Sequence, residues 1–483
     1  MFRLAWEALD AVARRKVEYA DARAVETRSR HVSTKNGKLG SISSNESAGI
    51  GVRVLANGCW GFAATDDLTS AGVEACAALA CEIARASGMA RKNGVSLAPE
   101  EKHEAVWVSP CRIDPFTVPV EENLRVLLAI DAELRRNKDV TLAEASMSFS
   151  RERQVFVSTL GSAIDQTRTV SGAGFEANSF QGDEIQKRSY PNSFGGQHQL
   201  KGYELISELN LLDAAPRIAE EAVALHSADQ CPEGRFDLIL DSSQLGLQIH
   251  ESIGHPIELD RVLGSEANYA GMSFLTLDKL NTLRYASDMV NVVADARMEH
   301  GPGLGTFAFD DEGVPAQRSP IIENGLFTAY LASRETAATV GLSRSNGCMR
   351  ADGWARLPLI RMTNVSLLPG GQTLDQVFGG DGIYMETNKS WSIDDKRYNF
   401  QFGCEIGWEI RNGRRMRMLK NPSYSGISTE FWNSCAAIAG PEHWTLWGTP
   451  NCGKGQPEQV MGTGHGASPA RFRNVKIGSA YSG

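Results

Sequence analysis

Residues 236–256 read FDLILDSSQLGLQIHESIGHP. Phe236 to Leu240 is a short apolar run of strand character, and Asp241-Ser242-Ser243 offers a helix cap directly behind it. Leu245, Ile249 and Ile253 then recur at four-residue spacing, which makes one buried stripe of a helix. Another face of that helix carries His250, Glu251 and His255. Neutral imidazoles are good zinc ligands, and a neighbouring glutamate is suited to act as general base toward a metal-activated water. In the His-Glu-x-x-His pattern the imidazoles stand four residues apart, on one helical face. Here they are five apart, about 140° round an ideal helix of 3.6 residues per turn, so a straight α-helix cannot aim both at one ion. Two local structures would bring them together. A π-bulge absorbs the extra residue, with Gly254 as the place for the backbone to distort; alternatively the helix ends at Gly254 and His255 approaches from the next turn, ahead of Pro256.

Two imidazoles need a third protein ligand. Downstream candidates are Glu258, Asp260, Glu266, His300, His443, Cys452 and His465, and spacing does not choose among them. Cys452 stands out chemically: it lies in Asn451-Cys452-Gly453-Lys454-Gly455-Gln456-Pro457, where glycines allow close backbone approach and Lys454 favours the thiolate, the form that binds metal. The same segment also reads as a glycine-rich turn with an incidental thiol. Two other chemistries use these residues. Gly448 to Lys454 has the glycine and lysine spacing of a phosphate-binding loop, but Gly455 stands where that loop needs Ser or Thr. Cys452 with His465 would make a cysteine nucleophile, which leaves His250-Glu251 unexplained.

Composition narrows the classes. The 483 residues carry 49 Lys+Arg against 58 Asp+Glu, a formal charge of −9, which argues against a direct nucleic-acid binder. With 42% hydrophobic and 22% charged residues the chain is an ordinary globular one, long enough for two or three domains. Nine scattered cysteines suggest reduced thiols in a cytoplasmic protein. The start, Met1 to Lys16, is an amphipathic helix interrupted by Glu7 and Asp10 rather than a signal peptide, and Glu74 and Glu82 break the Ala-rich run, so no membrane span is expected.

Asn-Gly pairs at 36–37, 57–58, 324–325 and 412–413 separate β-forming stretches, and each predicts a type I′ hairpin. The first two organise an expected four-stranded meander: Ala24 to Thr34, Lys38 to Ser43, Gly49 to Leu55 and Cys59 to Ala64. A helix from Leu68 to Ser87 follows, capped by Asp66 or Asp67. A second helix-then-strands passage has a helix from Val120 to Arg136 and strands at Ala143 to Ser158 and Thr167 to Ser179. Ser189 to Gly202 reads as a loop, and Pro216 to Ala228 as a helix with Pro in its first turn. The expected fold class is α+β in two domains: an N-terminal α/β unit with an antiparallel meander over 1–215, and a β-rich unit over 216–483 that carries the metal-binding helix. Asp310-Asp311-Glu312-Gly313 reads as a solvated turn rather than a second cation site. Arg411, Arg414, Arg415, Arg417 and Lys420 read as a charged, solvent-facing hairpin.

Together with His250 to His255, the stretches Arg261-Val262-Leu263-Gly264-Ser265-Glu266, Asp310 to Gly313, Arg361-Met362-Thr363-Asn364, Cys452 to Gln456, and Gly49 to Val54 with Trp60-Gly61-Phe62 resemble the TldD/PmbA family of metallopeptidases along nearly the whole chain. The intact His-Glu-x-x-x-His set is similar to the TldD type; the PmbA/TldE type lacks it. The resemblance implies that His250, His255 and Cys452 bind one divalent metal, most simply zinc with iron as an alternative, and that Glu251 is the catalytic base. It also implies short or unfolded peptides as substrate, and a homodimer or a heterodimer with a motif-lacking PmbA/TldE-type partner. The competing class is a non-catalytic peptide-binding or regulatory subunit of such a dimer.

Overall fold

Alternation along the strand Tyr19–Lys35 sorts its side chains between two environments. Ala20, Ala22, Ala24 and Val32 are buried on one face, while Asp21 and Arg23, equally buried, point to the other. In the computed structural model, which describes residues 1–90 and 94–479, this strand is central to an eight-stranded, mostly antiparallel sheet. The order is Cys59–Thr65, Lys38–Ala56, Tyr19–Lys35, Leu142–Ser158, Ala163–Gln181 and Glu104–Val108; Glu184–Tyr190 and Gln197–Gln199 also pair with Ala163–Gln181.

Two helix pairs cover the two halves of the apolar face. Phe2–Ala13 and Ser70–Met89 pack over Ala22 and Val155, and Val120–Leu134 and Leu211–Ala224 pack over Val32 and Met147. The fold class is therefore the mixed α+β one expected. All four Asn-Gly pairs form hairpins with both residues at positive φ, as type I′ turns require.

Several local expectations give way to tertiary pairing. The second and third meander strands are one strand, Lys38–Ala56, because Ser44, Asn45 and Glu46 find partners in Arg30, Ser29 and Arg28 of the neighbouring strand. Thr69, not Asp66 or Asp67, caps Ser70–Met89, its hydroxyl accepting from Gly72 N–H at 3.1 Å. The helix expected from Pro216 begins at Leu211 with Pro216 inside it, since Leu211, Ala214 and Ala215 extend its buried stripe. The stretch expected as a loop over Ser189 to Gly202 contains the short strand Gln197–Gln199.

The second sheet is also eight-stranded, and its path closes: Gly382–Ile393, Gly234–Leu240, Ala470–Ser479, Pro422–Ile427 and Asn399–Arg411 follow in order, and Asn399–Arg411 returns to pair with Gly382–Ile393. The central helix, Ser242–Ile249, leaves strand Gly234–Leu240 and packs against Gly382–Ile393, Val365–Leu367 and a separate hairpin, Thr445–Lys454 with Gln459–Ala467. That hairpin also reaches the first sheet, where Gln197 bonds the backbone of Leu446 and Gly448.

The charged face of the first sheet meets the second unit. Arg53 bridges Asp21 at 2.7 Å and Glu312 at 3.1 Å, Arg23 reaches Asp311 at 3.3 Å, and Gln154 donates to Asp311 at 2.8 Å. Asp310 to Gly313 is a turn, as expected, but a buried one: Asp310, Asp311 and Glu312 are 1%, 8% and 3% exposed. Asp311 and Glu312 meet arginines that a sequence reading cannot place beside them, and Asp310 accepts from the backbone of Glu312, Val314 and Met349.

Candidate metal centre

The side chain of Asp241 accepts from the backbone N–H groups of Ser243 and Gln244 and so starts the central helix. Leu245, Ile249 and Ile253 form the buried stripe. At His250 the helix widens into a π turn over His250–Gly254, closed by the His255 N–H donating to the His250 carbonyl at 3.1 Å. In that geometry residues five apart lie one above the other. The two rings accordingly face each other edge to face, with centroids 4.8 Å apart. Of the two readings open from the sequence, the π-bulge is the one the chain adopts.

The π turn is held from outside. Trp432 Nε1 donates to Ser252 Oγ at 2.9 Å, and the Tyr285 hydroxyl donates to the Ser252 carbonyl. Gly254 serves close packing: a Cβ there would sit 2.0 Å from Met362 Sδ. Met362 belongs to the Arg361-Met362-Thr363-Asn364 segment, which thereby gains a packing reason.

Cys452 arrives from the strand Thr445–Lys454, at a register irregularity between Thr449 and Cys452. It lies within a strand and not in the turn that its glycines suggested. Its Sγ is 3.7 Å from His255 Nε2. One donor atom from each of His250, His255 and Cys452 falls within 4.8 Å of the others, and all three residues are buried. Zn–N near 2.0–2.1 Å and Zn–S near 2.3 Å at a tetrahedral angle place N and S about 3.6 Å apart. The observed N–S separation and the donor types fit such an ion. Burial drives the pKa of His250 down and that of His255 well down, which keeps both imidazoles neutral. Burial alone would raise the Cys452 thiol, but the approach of the His255 ring and the charge of the Arg361 guanidinium outweigh it and hold the thiol below its ordinary value.

The other candidates for a third ligand have partners of their own. Glu258 Oε2 lies 2.9 Å from His255 Nδ1. Asp260 pairs at 2.7 Å with Lys454, which also stands 3.3 Å from Glu258 and 3.7 Å from Glu266. Lys454 is wholly buried among these carboxylates, so the phosphate-loop reading fails. His300 bonds Ser366 and His443 lies beside Glu442. His465 Nε2 is 2.7 Å from His250 Nδ1, and the ring that approaches the Cys452 sulfur is His255, so the pairing of Cys452 with His465 is not made.

Glu251 is 5% exposed, and its carboxylate is bound by Arg397 Nη1 at 2.5 Å. Arg397 went unnoticed in the sequence. It sits in Asp394-Asp395-Lys396-Arg397, between the strands Gly382–Ile393 and Asn399–Arg411, and a charged connection there reads as an ordinary turn. The basic hairpin behaves as expected: Arg411 and Arg417 both pair with Glu409 on its surface.

Comparison with known proteins gives the family. A family model described as PmbA/TldA metallopeptidase C-terminal domain matches residues 233–479, and one described as PmbA/TldA metallopeptidase domain 1 matches residues 20–84. A metalloprotease of Methanothermobacter thermautotrophicus is 30% identical over 466 residues, 96% of each chain. A zinc metalloprotease TldD homolog of Saccharolobus solfataricus is 28% identical over 208 residues, 43% of this chain and 44% of that one. In fold, the chain is similar to the crystal structure of TldE from Thermococcus kodakarensis, with TM-score 0.75, 15% identity and 99% of each chain covered. With its C-terminal half matched by the family model and a relative aligned along almost its entire length, the chain belongs to the PmbA/TldD family of metallopeptidases.

Proposed function

We propose that this chain hydrolyses short or unfolded peptides, with His250, His255 and Cys452 holding one divalent metal and Glu251 acting as general base. The convergence of two neutral imidazoles and one acidified thiol, buried beside a glutamate, carries this reading. A His₂Cys set suits zinc best, with iron as the alternative. Bound there, the metal would supply Lewis acidity toward a water and toward the scissile carbonyl. Glu251 takes the proton of the attacking water and returns it to the leaving amine. Arg397 holds the Glu251 carboxylate in one orientation until substrate arrives.

Burial argues for the substrate class. His250, Glu251, His255 and Cys452 are each 5% exposed or less, so an extended chain can enter where a folded surface cannot. The family resemblance implies assembly with a second copy or with a motif-lacking TldE-type partner. The nine free thiols suit a reducing compartment, the cytoplasm, and among the described residues no helix is long and apolar enough to cross a membrane.

Elemental analysis and cleavage of an unfolded peptide, on wild type and on Glu251→Gln, test the reading. The variant should keep its metal while cleavage falls by about 10²–10⁴-fold, the usual contribution of a positioned base. Wild type purified without metal, or a variant that cleaves normally, rejects it.

A further inference from the structure

His465 Nδ1 lies 3.0 Å from the carbonyl oxygen of Val365. A carbonyl oxygen only accepts, so Nδ1 carries the hydrogen. The ring is wholly buried, and its partners are a carbonyl, a hydroxyl and a second imidazole, none of which compensates a buried cation, so the ring is neutral and its Nε2 bears a lone pair. His250 Nδ1 stands 2.7 Å from that lone pair. Two lone pairs cannot face each other at this distance, so His250 donates from Nδ1. The lone pair of His250 is then on Nε2. Thr463 Oγ1 steadies the arrangement, 3.1 Å from His465 Nε2 and 3.5 Å from His250 Nδ1.

We infer that His465 is a positioning residue: it passes the polarity of the Val365 carbonyl to His250 and so fixes the tautomer in which His250 offers Nε2 to the metal. The inference rests on the metal reading above and adds a residue to it. His255 reaches the same tautomer differently, through the Glu258 carboxylate at Nδ1, 2.9 Å away. The two imidazoles are therefore oriented by different chemistry, one by a neutral ring and one by a carboxylate that Lys454 and Arg261 surround. Outer partners of this kind fix ring orientation and ligand basicity. In sequence, His465 offers only its residue type and would pass for another ligand. Its bond to His250, made through Nε2, gives it a different task.

A zinc competition titration on the full chain separates that task from simple packing. His465→Leu keeps the bulk and removes both hydrogen bonds, and its zinc affinity should fall by about 10–100-fold. In His465→Gln the amide N–H₂ can donate to Val365 and Oε1 can accept from His250 Nδ1–H, so most of the affinity should return. Leucine binding like wild type overturns the relay. Glutamine binding as weakly as leucine also overturns it, because His465 would then be a ligand itself. If the leucine variant does not fold, two-bond ¹H–¹⁵N spectra of metal-free wild type decide the matter. They should show His250 protonated at Nδ1 and bare at Nε2, and the reverse pattern sinks the inference. Wild type that binds no zinc would reject the metal reading, and the nitrogen spectrum would still judge the tautomer.

Discussion

Cys452 and Cys435 are buried to the same degree, yet their thiols move in opposite directions. Burial pushes Cys435 up to about 12, as it does Cys231, while Cys452 is held below its ordinary value by His255 and Arg361. A buried thiol among apolar neighbours is inert, and one beside polar or cationic partners is shifted toward the reactive thiolate. Lys454 shows the same dependence on surroundings. Two positions from Cys452 it suggested a local cation for the thiolate, but its Nζ is directed to Asp260, Glu258 and Glu266. Burial would lower its pKa, and the three carboxylates outweigh that and raise it. Lys454→Met strips the counter-charge from these buried carboxylates. It should lower the unfolding free energy of the metal-free chain by about 3–5 kcal/mol in urea. A variant as stable as wild type would mean that Arg261 alone suffices to balance them.

Among the elements, the central helix departs furthest from ideal geometry. Five-residue spacing between two histidines is incompatible with one α-helical face, and the chain resolves the conflict by a π turn. Such a turn loses regular bonding; Tyr285 satisfies the Ser252 carbonyl, and Trp432 holds the Ser252 hydroxyl. At the other end of the helix, Asp241 carries a pKa raised to about 6, first by burial and then by the charge of Glu386. Its folded value exceeds the ordinary 3.8, so its contribution to stability is complete below about pH 4 and is lost as pH rises through about 6. Asn also caps helices well. Asp241→Asn should therefore gain in melting temperature relative to wild type between about pH 4 and pH 7. A difference that stays flat across this window would show that Asp241 does not titrate there.

At the scale of the molecule, the two sheets are joined through charge as well as apolar contact. Arg53 from the first sheet is held by Asp21 of its own sheet and by Glu312 of the turn opposite. Removing one member of a buried ionic network leaves the others uncompensated. Arg53→Met should cost about 3–5 kcal/mol, and limited proteolysis should release the two halves of the chain earlier than in wild type. Equal protease resistance would show that apolar contact alone holds the interface.

Much of this was legible in the sequence because the information is local. Hydrophobic period, the Asn-Gly turns, the Asp241 cap and the misfit of five-residue spacing all act within one or two turns of chain, and the family resemblance quoted the segments that matter. Where local signals and distant partners disagreed, the distant partners prevailed. Ser44 to Glu46 looks like a break and is strand because Arg28 to Arg30 pair with it; Asp311 and Glu312 look solvated and are buried because arginines from another sheet reach them.

The sequence by itself determined the residue types for the chemistry, the α+β class and the need for a distorted helix at His250 to His255. Only the tertiary structure decided that the distortion is a π turn, that Cys452 and not His465 approaches the His255 ring, and that Arg397 holds Glu251. The reason is physical: hydrogen-bond direction and ion pairing depend on distances of a few ångströms between segments up to some 200 residues apart, and no spacing along the chain encodes those distances.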